Sequence, residues 1–159
     1  MITLKNVKER VGETMQDIIT KEITVKAPKE RVYQAITDPK QITKWFPDEI
    51  EGMLEVGQQS IVTFNGYGKS SLLVIDANPF DYFAYRWIPG GSSIIDDLTT
   101  VQTTLVEFHL TEQNGRTKVV LTESGFATLP ADVAAKSFSD NSGGWDQMMS
   151  RLEKMLSQD

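Results

Sequence analysis

Cysteine is absent from this 159-residue chain, and histidine occurs once, at position 109. Without cysteine the protein has no disulfide, no thiol nucleophile, no thiolate zinc site and no cysteine-linked haem. A serine–histidine–aspartate triad would have to use His109, and no Gly-x-Ser-x-Gly sequence is present to hold the serine. The composition therefore excludes most familiar catalytic centres.

An excess of basic residues is also missing. The chain has 16 Lys plus Arg against 22 Asp plus Glu, a formal charge of −6, which argues against nucleic acid as a partner. No apolar run approaches the roughly 18 residues of a membrane span, and the first ten residues lack the apolar stretch of a signal peptide. We therefore expect a cytoplasmic protein that spans no membrane, with no cofactor and no metal site.

The hydrophobic pattern predicts an α+β protein. A first strand is expected at Ile18–Val25, two short helices after it, about six antiparallel strands, and a long helix from Ala131 onward. The strands are predicted at Ile50–Leu54, Ser60–Phe64, Lys69–Ile75, Tyr82–Trp87, Thr103–Thr111 and Arg116–Glu123. Such a sheet has one face to cover, and the last helix is the only large element able to cover it. We expect residues 1–17 to be an extension of uncertain structure and 18–159 to be one domain.

Several motifs in this order resemble a known superfamily. They are Ala27-Pro28-Lys29-Glu30-Arg31-Val32-Tyr33, Thr37-Asp38-Pro39, Lys44-Trp45-Phe46, Tyr82–Trp87, Thr117–Phe126 and Gly144-Trp145. Together they resemble START-like helix-grip domains of the polyketide-cyclase, lipid-transfer and pollen-allergen superfamily, in the branch of homologues of the activator of heat-shock-protein-90 ATPase. The resemblance implies a curved sheet of six to seven strands wrapped around the C-terminal helix, with a cavity between them. The segment 88–102 is long for a connection between two strands of that fold.

The Asn114-Gly115 turn predicts which residues of the last two strands share a face. Phe108 should lie opposite Leu121, and Val106 opposite Glu123, on the face toward the helix. His109 then points outward, which favours a surface role over a catalytic one. Glu123 is a carboxylate on the apolar face, where burial is costly without partners. Two interpretations of Glu123 stay open: a solvated strand end, or an acid that orients the polar end of a ligand.

Aromatic and methionine side chains are predicted to line the cavity. Phe83, Tyr85 and Trp87 alternate on one face of their strand, and the C-terminal helix repeats Trp145, Met148, Met149 and Leu152 on one side. The candidate ligand-binding residues are Trp45, Phe46, Phe64, Phe83, Tyr85, Trp87, Phe108, Leu121, Glu123, Trp145, Met148, Met149 and Leu152. Plain core packing is an alternative for each of them singly. Within the 88–102 connection, Gly90–Gln102, with its glycine pair, is the candidate lid, or else a disordered loop.

Three functions follow as hypotheses. The first is the binding of a hydrophobic small molecule, aromatic or lipid-like, in the cavity. The second, which the family resemblance implies, is a co-chaperone module that contacts a chaperone or another protein; a role in stress response is a separate expectation. The third is a cyclase- or hydratase-like enzyme in which Glu123, Tyr85 and Tyr67 are weak acid/base candidates. No strong catalytic residue is predicted.

Overall fold

A seven-stranded antiparallel sheet and one long helix make up most of the fold. The computed structural model describes residues 17–89 and 93–157. The strands are β1 (Ile18–Val25), β2 (Glu49–Glu51), β3 (Gln59–Phe64), β4 (Gly68–Asn78), β5 (Tyr82–Trp87), β6 (Thr104–Gln113) and β7 (Arg116–Ser124). The helices are α1 (Lys29–Thr37), α2 (Pro39–Ile42) and α3 (Ala131–Ser157), with short 3-10 turns at Leu98–Thr100 and Phe126–Thr128. The predicted α+β helix-grip architecture is confirmed.

The order of the strands places the first strand of the chain next to the last. From one edge to the other the sheet runs β1-β7-β6-β5-β4-β3-β2, and all six pairings are antiparallel. From β2 to β7 each strand therefore pairs with its neighbour in sequence, as in successive hairpins. The connection from β1 to β2 carries α1 and α2 and crosses from one edge of the sheet to the other.

The two short helices follow from their proline and aspartate residues. Pro28 stands at the N-terminal boundary of α1 in an extended conformation. Asp38 ends α1 and starts α2, because its Oδ1 accepts a hydrogen bond from the Lys40 amide at 2.9 Å. Just beyond α2, the Trp45 indole donates to the Ala35 carbonyl at 2.8 Å and fixes α2 against α1. From the sequence the second helix is expected to run through Ile42, Trp45 and Phe46; that prediction is too long, because α2 ends at Ile42 and Trp45 lies in the turn that follows.

The sheet has an inner face toward α3 and an outer face away from it. The register of β6 against β7 is the predicted one, with Phe108 opposite Leu121 and Val106 opposite Glu123. Those four residues point inward and are buried. His109, on the other face of β6, is exposed as predicted. The parity inferred from the Asn114-Gly115 turn is thus correct along the whole hairpin.

The N-terminal part of the chain is described from residue 17 onward, so the prediction for residues 1–16 lies outside the described residues. Asp17 itself is anchored to the far end of β7. Its Oδ1 accepts from the Ala127 amide at 2.9 Å and its Oδ2 from the Gly125 amide at 3.3 Å. This contact holds the start of β1 against the turn that leads into α3.

Candidate functional site

Glu123 lies on the inner face of the sheet, near the C-terminal end of β7. Its neighbours across the sheet are Val106 on β6 and Ile19 on β1, and Tyr85 on β5 continues the same row. The residue is 0% exposed, although it stands one position from the end of β7. The interpretation of Glu123 as a solvated strand end is therefore wrong, because α3 covers this end of the strand.

Four side chains donate hydrogen bonds to the Glu123 carboxylate. Oε1 accepts from the Trp145 indole at 2.8 Å and from the Asn141 side-chain amide at 2.9 Å. Oε2 accepts from the Thr104 hydroxyl at 2.6 Å and from the Trp87 indole at 2.9 Å. Asn141 Nδ2 also lies 3.2 Å from Oε2. The carboxylate joins β5, β6 and β7 to α3 through these bonds.

All four donors are neutral. Glu123 forms no ion pair with a residue of the described ranges, so hydrogen bonds alone replace the water that the carboxylate gives up on burial. A carboxylate has about four lone-pair sites, and four donors occupy them. Glu123 can therefore accept a further hydrogen bond only if one of these partners moves away. Of the four donors, Asn141 is the one that is only half-buried, so it can move away from Glu123 most easily.

The Tyr85 hydroxyl is the unsatisfied polar atom of this site. It is buried and has no hydrogen-bond partner among the described residues. Burial, and then the nearby Glu123 charge, raise the pKa of Tyr85 well above its ordinary value, so the phenol stays protonated and able to donate. A buried donor without a partner costs free energy, which makes the hydroxyl a place where a bound polar atom would be stabilised.

Aromatic rings surround these polar groups. Phe46 stacks on Trp145 with ring centroids 5.1 Å apart and packs against Phe64 at 5.3 Å and Trp87 at 5.8 Å. Trp87 in turn meets Tyr85 edge-on at 5.4 Å. The indole of Trp145 thus serves twice, as a wall of the aromatic cluster and as a donor to Glu123.

The structure brings all the predicted ligand-binding residues to one region. Trp45, Phe46, Phe83, Tyr85, Trp87, Phe108, Leu121, Glu123, Trp145, Met149 and Leu152 are buried on the inner face or in the elements packed on it, and Phe64 and Met148 are half-buried against the same core. The same side chains form the hydrophobic core, so the core interpretation and the cavity interpretation describe one set of residues.

Two adjacent glycines occur in α3 where the helix passes the Glu123 site. Gly143 and Gly144 lie in the interior of α3, between the donors Asn141 and Trp145. A Cβ atom built on either glycine would meet no other atom within 4 Å. Two adjacent glycines weaken a helix interior. This segment of α3 therefore holds its helical conformation less strongly than a segment without glycine would.

Sequence reasoning missed two residues of the site, Thr104 and Asn141. The position of each on the inner side could have been predicted from its spacing to a residue already assigned there. Thr104 is two residues before Val106 and so points to the same face of β6, and Asn141 is four residues before Trp145 on the same side of α3. The signal was Glu123 itself, because a carboxylate on an apolar face requires donors from the elements around it. The indoles of Trp87 and Trp145 were predicted as apolar walls rather than as donors.

Other sequence candidates lie elsewhere. Tyr67 is in the β3–β4 turn with 80% of its surface exposed, so it is not among the buried residues of the inner face, and its suggested acid/base role gains no support. The described part of the candidate lid packs on the outer face, where Ile95 exchanges hydrogen bonds with the Ser71 hydroxyl. Residues 90–92 lie outside the described residues.

The described part of the chain contains no cluster of three or more His, Cys, Asp or Glu side chains able to hold a metal ion. None of its helices is long and apolar enough to cross a membrane.

Comparison with known families gives a match over most of the chain. Residues 26–157 match the family described as activator of Hsp90 ATPase homolog 1-like protein. The chain belongs to this family. The matched range begins just before α1 and ends with α3, so it includes every residue of the Glu123 site. Among curated proteins, none matches the chain.

Solved structures share the fold of this chain at low sequence identity. Protein MLL2253 from Mesorhizobium loti is 22% identical, with a TM-score of 0.73, over 89% of this chain and 97% of that one. The Aha1 dimer from Colwellia psychrerythraea is 22% identical, with a TM-score of 0.72 and the same coverage. DynU16, from the dynemicin biosynthetic locus, is 22% identical with a TM-score of 0.70, and this chain spans 47% of its length. These similarities establish the fold.

Proposed function

We propose that the protein binds a hydrophobic small molecule, aromatic or lipid-like, between the inner face of the sheet and α3. The apolar part of the ligand would lie among Phe46, Trp87 and Trp145. Its polar end would reach the Tyr85 hydroxyl beside Glu123. Burial of apolar surface would supply most of the affinity, at roughly 25 cal/mol per Å², and the hydroxyl would set the orientation.

The observation that carries this proposal is the unpartnered Tyr85 hydroxyl. Buried polar atoms in folded proteins nearly always have a partner, so each exception requires a reason. Tyr85 is buried among aromatic rings on the inner face, and its hydroxyl has none among the described residues. A ligand that offers one acceptor oxygen to this donor would satisfy it and would add its own apolar surface to the cluster.

The route by which a ligand enters follows from the exposure of the cluster. Phe64 and Met148 are the half-buried members of the predicted ligand-binding set, and we place the entrance beside them. Gly143 and Gly144 lie close by in sequence on α3, with open space in front of both. Movement of this glycine segment, with release of Asn141 from Glu123, would open the inner face without breaking the sheet.

An enzyme of the cyclase or hydratase type has less support. A general base must accept a proton, yet the two oxygens of Glu123 already accept hydrogen bonds from four side chains. Tyr85 stays protonated because burial raises its pKa, so it suits a donor better than a base. We therefore assign Glu123 an orienting role, in which it fixes the two indoles that form the walls.

A comparison of two probes tests the proposal. Naphthol and methylnaphthalene have similar size, but only naphthol has an oxygen that can accept from Tyr85. In the wild type, displacement of the neutral dye Nile red should show an affinity for naphthol about tenfold higher than that for methylnaphthalene. This is the difference expected from one buried hydrogen bond. The preference should disappear in Tyr85→Phe and persist in the control Tyr67→Phe, which alters an exposed tyrosine. Equal preference in all three proteins would refute the role of Tyr85.

Native mass spectrometry of the freshly purified protein addresses the natural ligand. A co-purified molecule that remains bound in the gas phase and is lost from the Met149→Ala variant would support occupation of the inner site. Met149 is buried in α3 against the core. A ligand whose occupancy is unchanged by that substitution would bind elsewhere on the protein.

A second candidate function rests on the family description, which names an activator of a chaperone ATPase. We propose it as the alternative: a module that contacts a chaperone or another protein. It predicts stimulation of Hsp90 ATPase activity by the purified protein, with no requirement for Tyr85. Stimulation that is equal in the wild type and Tyr85→Phe would favour this alternative. The cytoplasmic location and the role in stress response stay predictions.

A further inference from the structure

A cavity lies on the outer face of the sheet, opposite α3. It has a volume of about 550 Å³, within the range of small-molecule sites. Its floor is a row of side chains that cross four strands: Leu73 on β4, Arg86 on β5, Leu105 on β6 and Ser124 on β7. No residue of this floor belongs to the inner site, because the two sets point to opposite faces of the sheet.

Residues 98–103 form a wall of this cavity, and hydrogen bonds from Gln59 to residues 95 and 98 hold this part of the chain on the sheet. Gln59, which continues the floor row on β3, donates from Nε2 to the Ile95 carbonyl at 3.0 Å. Its Oε1 accepts from the Leu98 amide at 2.8 Å. Leu98 is 2% exposed, which shows that this segment packs firmly on the sheet. The cavity therefore has a built wall.

Arg86 stands in the floor with its guanidinium almost unused. Its one hydrogen bond among the described residues is a long contact, 3.4 Å, from Nη1 to the Thr103 hydroxyl. Arg86 forms no ion pair with any residue in the described ranges. A guanidinium has five N–H donors in a planar fork and stays charged at every physiological pH. Most of the N–H donors of Arg86, which lines the cavity, therefore remain available to a bound molecule.

The nearby carboxylates are engaged with other groups. Glu107, two residues along β6 from Leu105, accepts from the Tyr82 hydroxyl at 2.6 Å. Asp97 accepts from the Thr99 amide at 3.0 Å, and Asp17 holds the turn after β7. Each of these carboxylates accepts a hydrogen bond from a group other than Arg86. The charge of Arg86 is thus left for a molecule that enters the cavity.

The apolar residues that line the cavity indicate what the uncharged part of a ligand would be. Leu73 and Leu105 make the floor partly apolar, and Ile75 and Val101, which are 36% and 38% exposed, add apolar lining. Exposed β-branched side chains around a half-buried arginine suit a molecule with an apolar body and one anionic end. One cation in a chain of net charge −6 favours a single negative charge over the double charge of a phosphate monoester.

We propose that this outer-face cavity is a second binding site, specific for a small amphipathic monocarboxylate. The planar carboxylate pairs with the Arg86 fork, and the apolar body of the ligand lies against Leu73, Leu105 and Val101. The pairing is bidentate, a geometry that guanidinium and carboxylate share. The site is independent of the proposed inner site, because no residue is common to the two.

Two isosteric probes test the assignment in the full-length protein. Naphthoate and naphthamide have the same shape, and only naphthoate carries the charge. Naphthoate should shift the backbone amide resonances of Leu105, Ser124 and Gly125 in a saturable manner, and naphthamide should bind at least about tenfold more weakly. Equal binding of the two probes, or shifts confined to Trp145 and Met149 of the inner site, would overturn the proposal.

Substitution of the arginine completes the test. Arg86→Gln should weaken naphthoate binding by about tenfold or more and leave naphthamide unchanged. Arg116→Gln, which removes an exposed arginine at the start of β7, is the matched control and should bind like the wild type. Arg86→Lys preserves the charge and loses the fork, so its affinity should fall between those of Arg86→Gln and the wild type. Undiminished binding in a folded Arg86→Gln protein would disprove the site.

Discussion

The indole of Trp145 donates a hydrogen bond of 2.8 Å to the carboxylate of Glu123, and this bond ties the centre of α3 to β7. The Trp87 indole reaches the other oxygen of the same carboxylate from β5 at 2.9 Å. Two large aromatic side chains are thus held at fixed positions by one buried acid. The acid specifies how the helix sits on the sheet, and the aromatic cluster is built around it.

Removal of the Glu123 charge should destabilise the fold. In Glu123→Gln, an amide NH2 group would replace one oxygen and would face donors instead of accepting from them. We expect the free energy of unfolding to fall by about 1–3 kcal/mol, the cost of leaving buried donors without partners. Urea denaturation followed by tryptophan fluorescence measures the change.

Glu153→Gln is the matched control, because Glu153 is an exposed residue of α3. Its effect should stay within about 0.5 kcal/mol, as is usual for surface substitutions. Similar stability losses in the two variants would mean that the hydrogen bonds at Glu123 contribute little.

Tyr85 and Tyr82 should respond to loss of their hydroxyls in opposite directions. Tyr85→Phe removes a buried donor without a partner, so the free energy of unfolding should rise by about 1 kcal/mol. Tyr82→Phe removes the donor of a 2.6 Å hydrogen bond to Glu107 and should lower it by about 1 kcal/mol. Thermal and urea denaturation of both variants measure whether the free energy of unfolding rises or falls relative to the wild type. A destabilised Tyr85→Phe protein would show that the hydroxyl does have a partner in solution.

The fold was accessible from the sequence because its signals are local. The Asn114-Gly115 turn determines the register of β6 and β7, and with it the inward position of Glu123 and the outward position of His109. The alternation of Phe83, Tyr85 and Trp87 likewise places all three on the inner face. Period and turn chemistry suffice for such assignments, since each depends on neighbours a few residues away.

The polar contacts of the site were not accessible in the same way. Glu123 is bonded to Trp87, Thr104, Asn141 and Trp145, which are 18 to 36 residues distant along the chain. Periodicity gives the face on which each side chain lies, but it does not give the offset between a helix and a strand. The same limit explains why the described part of the predicted lid was not placed on the outer face: that position depends on hydrogen bonds of Gln59 and Ser71.

Two glycines should show opposite responses to alanine. Gly143 is an exposed interior residue of α3 with open space around it, so Gly143→Ala should raise the free energy of unfolding by about 0.5–1 kcal/mol. Gly125 has a φ of +99°, and an added Cβ would lie 3.4 Å from the Thr103 carbonyl oxygen. Gly125→Ala should therefore lower the free energy by about 1–2 kcal/mol. The two melting temperatures, measured together, give the comparison.

The Gly143→Ala protein also tests how the inner site opens. If movement of the glycine segment admits the ligand, a stiffer helix should slow both binding and release of Nile red in stopped-flow measurements, while the equilibrium affinity changes little. Rates equal to those of the wild type would mean that the ligand enters by another path.

Stability should decline above the ordinary pKa of tyrosine, about 10. Burial, followed by the hydrogen bond to Glu107, raises the pKa of Tyr82, and burial together with the Glu123 charge raises the pKa of Tyr85. Between the unfolded and folded pKa values the folded state keeps protons that the unfolded state has lost, so the free energy of unfolding falls as the pH rises. This stabilisation is complete below about pH 10, where both states are protonated. Urea denaturation across the alkaline range should show a negative slope that is shallower in Tyr82→Phe. The stability deficit of that variant should also shrink as the pH rises, and a constant deficit would contradict the assignment of Tyr82 to the slope.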